Sequence, residues 1–185
     1  MTEVVPADGS GLATSRLRLR RWRDADRAPF ATMCADPDVM QYFPCTMSAA
    51  ESDEFVDRVV AGFARRGFGW WAVEIPGRTP FAGFIGLSTP AFDAHFTPCV
   101  EIGWRLAREH WGQGYATEGA QACMAFGFEA LKVQEIVAFT AHENLRSRRV
   151  MEKIGMQHDA ADDFDHPAIP AGHRLRSQVL YRRRG

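Results

Sequence analysis

The sequence predicts a mixed α/β domain, a sheet carrying helices on both of its faces. Three observations lead there. Segments that alternate apolar and polar residues are interleaved with segments whose apolar residues recur every three or four positions. An aromatic, β-branched hairpin centres on Pro76-Gly77. Behind it a strand, a helix and a strand follow in close succession, the order of a crossover unit.

Residues 1–14, rich in Gly, Ser, Ala and Pro, read as a flexible N-terminus, and 15–185 as a single domain. Leu17 and Leu19 alternate with Arg16, Arg18 and Arg20, the period of a half-buried strand. Asp24 or Asp26 is expected to cap a short helix reaching Cys34, which Asp36-Pro37-Asp38 breaks. Ser48-Ala49-Ala50-Glu51 is a capping box, and it opens a helix with Phe55, Val56, Val59, Val60 and Phe63 on one face and Gly67 at its end. Phe68 to Ile75 and Phe81 to Ser88 form the hairpin, and Cys99 to Leu106 a further strand. Tyr115 to about Leu131 is apolar nearly all round, hence a well-buried helix. Glu135 to Ala141 is a strand, Asn144 to Ile154 a helix stopped by Gly155, and Arg176 to Arg182 the last strand.

The chain has 185 residues, 22 basic and 23 acidic, for a net charge of −1. A near-neutral chain is a poor holder of a polyanion, so no nucleic acid is expected as a partner. No stretch approaches the roughly 20 apolar residues of a spanning helix, so no membrane is expected either. The opening residues lack the basic run and apolar core of a secretory signal. Cys34, Cys45, Cys99 and Cys123 have neither zinc-ligand nor redox-pair spacing, so no metal is expected, and four reduced thiols suit a cytoplasmic protein.

The chemistry concentrates in two places. Glu101 to Leu106 run through a short connection into Gly112-Gln113-Gly114-Tyr115-Ala116-Thr117. Glycines there permit a sharp turn and a close approach, and the free amides of a helix start attract an anion such as a pyrophosphate. The Lys-Ser or Lys-Thr of a P-loop is missing, as is the third glycine of a dinucleotide fingerprint. Two glycines also serve a plain tight turn. The second place is Asn144 to Gly155. Asn144 is a helix cap, and Ser147 shares a stripe with Val150, Met151 and Ile154 and so faces inward. A hydroxyl bonded back to the preceding turn is the other reading of Ser147.

On these two stretches, EIGWRLAREHWGQGYATEGA (Glu101–Ala120) and NLRSRRVMEKIGM (Asn144–Met156), the chain resembles the GNAT superfamily of acyl-CoA N-acyltransferases, and most of all its RimJ/RimL-like branch. The resemblance runs from about Ser15 to Tyr181. It implies a mostly antiparallel sheet of six to seven strands whose central pair splays apart to admit acetyl-CoA. Backbone groups near Trp104 and Leu106 would pair with the pantetheine arm. Gly112, Gln113, Gly114, Tyr115, Ala116 and Thr117 would hold the pyrophosphate, and Asn144 the pantetheine or thioester region. Arg105, Arg108, Arg146, Arg148 and Arg149 would form a positive rim for the phosphates, with Arg149 on the cofactor itself. Many relatives carry a Tyr acid where this chain has Met151; in the branch it resembles, the acid is a Ser three residues after the Asn, here Ser147.

The reaction so implied is direct transfer of an acetyl group to a primary amine, on a small molecule or a protein N-terminus. The attacking amine must lose a proton, and Glu101, in phase with Gly103 and Arg105, is the first candidate base. A carboxylate paired with an Arg is the plain alternative. A strand amide at the splay would stabilise the oxyanion. A cysteine acyl-enzyme is disfavoured, because Cys123 lies inside an apolar helix and Cys99 has no evident activating partner. The run from Asp159 to His166 would be a solvated loop or an acidic lip for a cationic amine, with His166 a second base. Phe43, Trp70 and Trp71 would be core or acceptor-site walls. Other readings of the same residues are a non-catalytic acyl-CoA sensor and an enzyme with a longer acyl donor. The resemblance is compatible with a homodimer.

Overall fold

A computed structural model of the chain describes residues 11–185; the first ten, and with them most of the expected flexible N-terminus, lie outside the described residues. The described residues begin with β1 (Gly11–Ala13), β2 (Arg18–Arg20), α1 (Arg27–Ala35) and α2 (Ala49–Arg66). The chain continues through the hairpin of β3 (Trp70–Ile75) and β4 (Thr79–Ser88), then β5 (Val100–Leu106), α3 (Tyr115–Glu129) and β6 (Glu135–Ala141). It ends with α4 (Leu145–Lys153), β7 (Gln157–His158), β8 (Phe164–Asp165) and β9 (Ser177–Arg184).

All nine strands join one sheet in the order β1-β2-β3-β4-β5-β6-β9-β7, with β8 also on β9. Every pairing is antiparallel except β5 with β6. The six strands expected from periodicity are all present. The additional three, β1, β7 and β8, have two or three residues each, too short to show a period. Gly11 to Ala13 are therefore not part of a flexible tail. They pair with Arg18 to Arg20 across a turn closed by the Leu17 amide donating to Thr14 Oγ1 at 2.9 Å.

Two apolar clusters sit on opposite faces. On one, Ala72, Phe81 and Phe84 meet Phe30, Met33 and Cys34 of α1 and Val56 of α2. On the other, Trp71, Val73, Ile85, Leu87 and Ile102 meet the buried stripe of α3. α2 starts at the expected capping box, where Ser48 and Glu51 bond reciprocally, and stops at Gly67 in the left-handed region. Its buried face takes in Ser52 and Gly62 beside the expected Val56, Val59 and Phe63, and leaves out Val60. Val60 is exposed, and Ser52 is fully buried instead, its hydroxyl donating to Ala49 O at 2.8 Å.

Neither Asp24 nor Asp26 caps α1 through its side chain. Asp26 is buried and belongs to a different device: Arg20 donates to its two oxygens at 2.7 and 2.8 Å and to Glu74 at 3.1 Å. This network ties β2 to β3 and to the start of α1.

Candidate active site

β5 and β6 are joined by two rungs only, Val100 with Ile136 and Glu101 with Val137. Beyond them β6 turns away to pair with β9, while β5 runs on to Leu106 against β4 alone. The gap opens into a groove of about 1010 Å³ that passes from the α3 face of the sheet to the α1–α2 face. The phase of β5 decides what each face presents. The Ala107 amide donates to Ala82 O at 2.9 Å, which continues the β4 register. In an antiparallel ladder that leaves the amides and carbonyls of the even residues, Ile102, Trp104 and Leu106, turned toward the gap. Side chains alternate as well: Glu101, Gly103 and Arg105 project to the α1–α2 face, and Ile102, Trp104 and Leu106 to the α3 face.

At the far end of β5 the glycine turn enters α3. Gly112 (φ 72°) and Gly114 (φ 82°) are both in the left-handed region, and a Cβ on Gly112 would meet nothing within 4 Å. The turn needs glycine for its conformation and presents bare backbone to the groove. Trp111 Nε1 donates to Leu106 O at 2.8 Å and pins the turn to the strand end. Of the residues expected here, Trp104, Leu106, Gly112, Gly114, Tyr115, Ala116 and Thr117 all line the groove. Gln113 does not: its amide donates to Glu109 O and accepts from Arg78, so only its backbone belongs to the turn.

α4 forms the opposite wall. Asn144 is its cap, accepting from the Ser147 amide at 3.2 Å and donating to Thr140 Oγ1 at 2.9 Å. Ser147 lines the groove with a hydroxyl that has no hydrogen bond among the described residues, so the back-bonded reading does not hold. Met151 is buried one turn further on. Arg146 stacks over the Trp111 ring at 4.8 Å, so the start of α4 touches the glycine turn. Arg146, Arg149 and Lys153 line the groove on this side.

The α1–α2 face holds the ionisable groups. Glu101 stands at the last rung of the β5–β6 pairing. It is half-buried and forms no ion pair among the described residues, so the Arg-paired reading is overturned. Burial alone raises its carboxyl from an ordinary value near 4.5 to about 8. Trp70 packs beside it, over Gly103, where an added Cβ would lie 3.0 Å from the indole. Phe43 and Trp70 line the groove, but Trp71 is wholly buried on the other face against Phe63 and Phe126. His166 is on the wall, packed on Phe92 at 4.7 Å, and burial lowers its pKa below the usual 6.5. Its Nδ1 accepts from the Ala168 amide at 3.2 Å, which leaves the proton of the neutral ring on Nε2 and no free lone pair for a base.

Arg105 is not on a phosphate rim. Strand alternation puts it on the α1–α2 face, 9% exposed, ringed by Phe43 at 4.0 Å, Phe84 at 5.4 Å and Phe55 at 5.9 Å. Its Nη1 donates to the sulfurs of Cys34 at 3.2 Å and Met47 at 3.7 Å, and its buried Nε has no acceptor. Arg108 and Arg148 also leave the expected rim. Arg108 pairs with Asp38, and Arg148 donates to Tyr181 Oη and His142 O. Two cations that linear reading missed come to the glycine turn from afar. Arg16 donates to Gln113 O at 2.9 Å and covers the Tyr115 ring at 4.7 Å, and Lys153 reaches both the groove and a smaller hollow of about 430 Å³ beside Gly114.

The acidic run is no lip. Asp162 binds Arg182 at 2.6 Å, Asp163 meets His158 at 2.8 Å, and Asp165 accepts from Arg176 at 2.9 Å, while Asp159 caps the next turn. Three of the four thiols are held protonated: burial raises Cys34, Cys123 and Cys99, the last to about 11. Among the described residues no His, Cys, Asp and Glu cluster could hold a metal ion, and no helix is long and apolar enough to cross a membrane.

Comparison with known proteins agrees with this geometry. Residues 16–157 match the acetyltransferase (GNAT) domain. The chain is 34% identical to the uncharacterized protein YkkB of Bacillus subtilis over 80% of its own length and 85% of that protein. It is 27% identical to the uncharacterized N-acetyltransferase YnaD of the same organism, over 92% and 94%. In structure it resembles a GNAT-family acetyltransferase from Bacillus anthracis, with a TM-score of 0.78 and 28% identity over 94% of this chain and 98% of that one. Ribosomal-protein acetyltransferases, one of them solved with coenzyme A, share the fold at 13% to 18% identity, a likeness of fold alone. With a splayed strand pair, a glycine turn into a helix and this match over most of its length, the chain belongs to the GNAT family of acetyltransferases.

Proposed function

We propose that this protein transfers an acetyl group from acetyl-CoA directly to a primary amine, with the two substrates entering the groove from opposite faces of the sheet. The cofactor side fits a coenzyme A thioester by its donors. Bare backbone at Gly112 and Gly114, the free amides at the start of α3, and the cations Arg146, Arg149 and Lys153 suit phosphates. The unpaired backbone edge of Trp104 and Leu106 suits an amide-bearing arm, although Leu106 O already accepts from Trp111. Asn144 holds the start of α4 against that arm. Bound there, acetyl-CoA supplies an activated acyl group.

Glu101 carries the reading. It is an unpaired carboxyl at the point where the strands part, on the acceptor face, and near neutral pH it both releases and takes up a proton. Glu101 takes the proton of the acceptor amine. Ser147, across the groove, donates a proton to the leaving sulfur. The walls of Trp70, Phe84 and Phe139 exclude water, and the strand amides at the splay face the developing oxyanion. A covalent cysteine route has no support, since Cys34, Cys99 and Cys123 are held protonated and Cys45 does not line the groove. The same reading has the enzyme act in the cytoplasm, on a small amine or a protein N-terminus.

The test is the pH dependence of thiol release from acetyl-CoA in the presence of an accepted amine. A base must be deprotonated to act, so kcat/KM of the wild type rises as pH climbs through about 8. Glu101→Gln loses that limb and about 100-fold or more in rate. A variant that keeps the limb and most of the rate removes Glu101 from the mechanism.

A further inference from the structure

Arg105 is a charge without a counter-charge. Its guanidinium is 9% exposed and points into the α1–α2 side of the groove, and no oxygen accepts from it among the described residues. A thiol and a thioether are weak acceptors, and aromatic faces compensate a cation only in part. Two carboxylates line the groove: Asp38, already taken by Arg108, and Glu101, four residues along the same strand face. Four residues of strand separate their backbones by roughly 13 Å. One face of β5 therefore offers a proton acceptor at the splay and a buried, unfilled guanidinium further along. Phe43, itself 38% exposed and on the segment between α1 and α2, covers that guanidinium from the groove side.

Resting on the acetyl-transfer reading above, we propose that Arg105 is the specificity residue of the acceptor site, and that the acceptor is a small primary amine that also carries a carboxylate. The amine end lies at Glu101, and the carboxylate takes the guanidinium, from which no protein oxygen accepts among the described residues. Carboxylate is chosen over a bulkier oxyanion because three phenyl rings crowd the guanidinium and leave it only 9% exposed.

The experiment pairs α-amino and ω-amino acids of two to six carbons with their own carboxamides. Binding is measured by calorimetry on protein saturated with CoA, and turnover by thiol release from acetyl-CoA. The expected result is a carboxylate preference of 30-fold or more for at least one pair on the wild type. Arg105→Met brings that ratio close to unity, and Arg105→Lys leaves an intermediate ratio. A merely structural arginine would shift both members of a pair alike and leave the ratio unmoved. If every wild-type ratio stays within threefold, the proposal is overturned while acetyl transfer stands. If carboxylates bind with Arg105-dependent preference and no amine releases thiol, the transfer reading falls and the carboxylate site stands. If nothing in the panel binds or reacts, the carboxylate site is wrong. Because the wild-type ratios decide, a misfolded variant does not protect the proposal.

Discussion

Arg20 and Arg105 are both guanidinium groups withdrawn from water, and the chain treats them in opposite ways. Arg20 donates to both oxygens of Asp26 and to Glu74, within a buried network that joins two strands and a helix start. Its pKa is raised, chiefly by the hydrogen bond to Asp26. Arg105 has two sulfurs and three phenyl rings, and burial lowers its pKa. A buried charge without a partner costs several kcal/mol on general grounds. The first arrangement serves the fold. The second carries a cost that the fold does not recover, and it faces the groove.

The contrast can be broken by stability measurements. Asp26→Ala strips Arg20 of its main partner, and chemical denaturation is expected to show a loss of about 3 kcal/mol, a fall in melting temperature of roughly 6–12 °C. Arg105→Met, which fills a similar volume without a charge, is expected to cost less than about 1 kcal/mol or to stabilise. Equal losses at the two positions would show that Arg105 is as structural as Arg20.

Glu101 sharpens the same contrast on the acidic side. Its carboxyl titrates near 8 in the folded chain, well above the ordinary value near 4.5. The folded state therefore holds a proton that the unfolded state has released, and stability falls as pH rises between those two values. Denaturation at pH 5.5, 6.5 and 7.5 should show the wild type losing about 1 kcal/mol per pH unit more than Glu101→Gln. Parallel curves would mean that the carboxyl is better solvated than its surroundings suggest.

The smallest effect expected is at Ser147. Its hydroxyl lies across the groove from Glu101, and Ser147→Ala should lower turnover about tenfold, near 1.4 kcal/mol of barrier, with stability unchanged. A change under about threefold in thiol-release assays would take Ser147 off the catalytic list.

The parts of the molecule legible in sequence are those set by neighbours along the chain. The hairpin at Pro76-Gly77, the capping box at Ser48, the glycine turn and the phase of β5 all depend on residues within a few positions. What escaped was set by distant partners. Arg105 precedes the glycine turn in sequence, and proximity suggested the phosphate rim; alternation along β5, which also fixes Glu101, sends it to the other face. Trp70 and Trp71 divide between groove and core for the same reason. The acidic run looked available because its cations, Arg176 and Arg182, lie on β9. Arg16 and Lys153 reach the turn from opposite ends of the chain, which no local pattern marks.

Two rungs alone, between β5 and β6, join the five strands on one side of the sheet to the four on the other. Glu101 is one of the four residues in those rungs. On the proposed reading, the base thus stands at the narrow join between the two sides of the sheet. On that same reading, a ligand that fills the groove beside Glu101 also takes water from its carboxyl, so the free and the loaded protein need not share one titration curve.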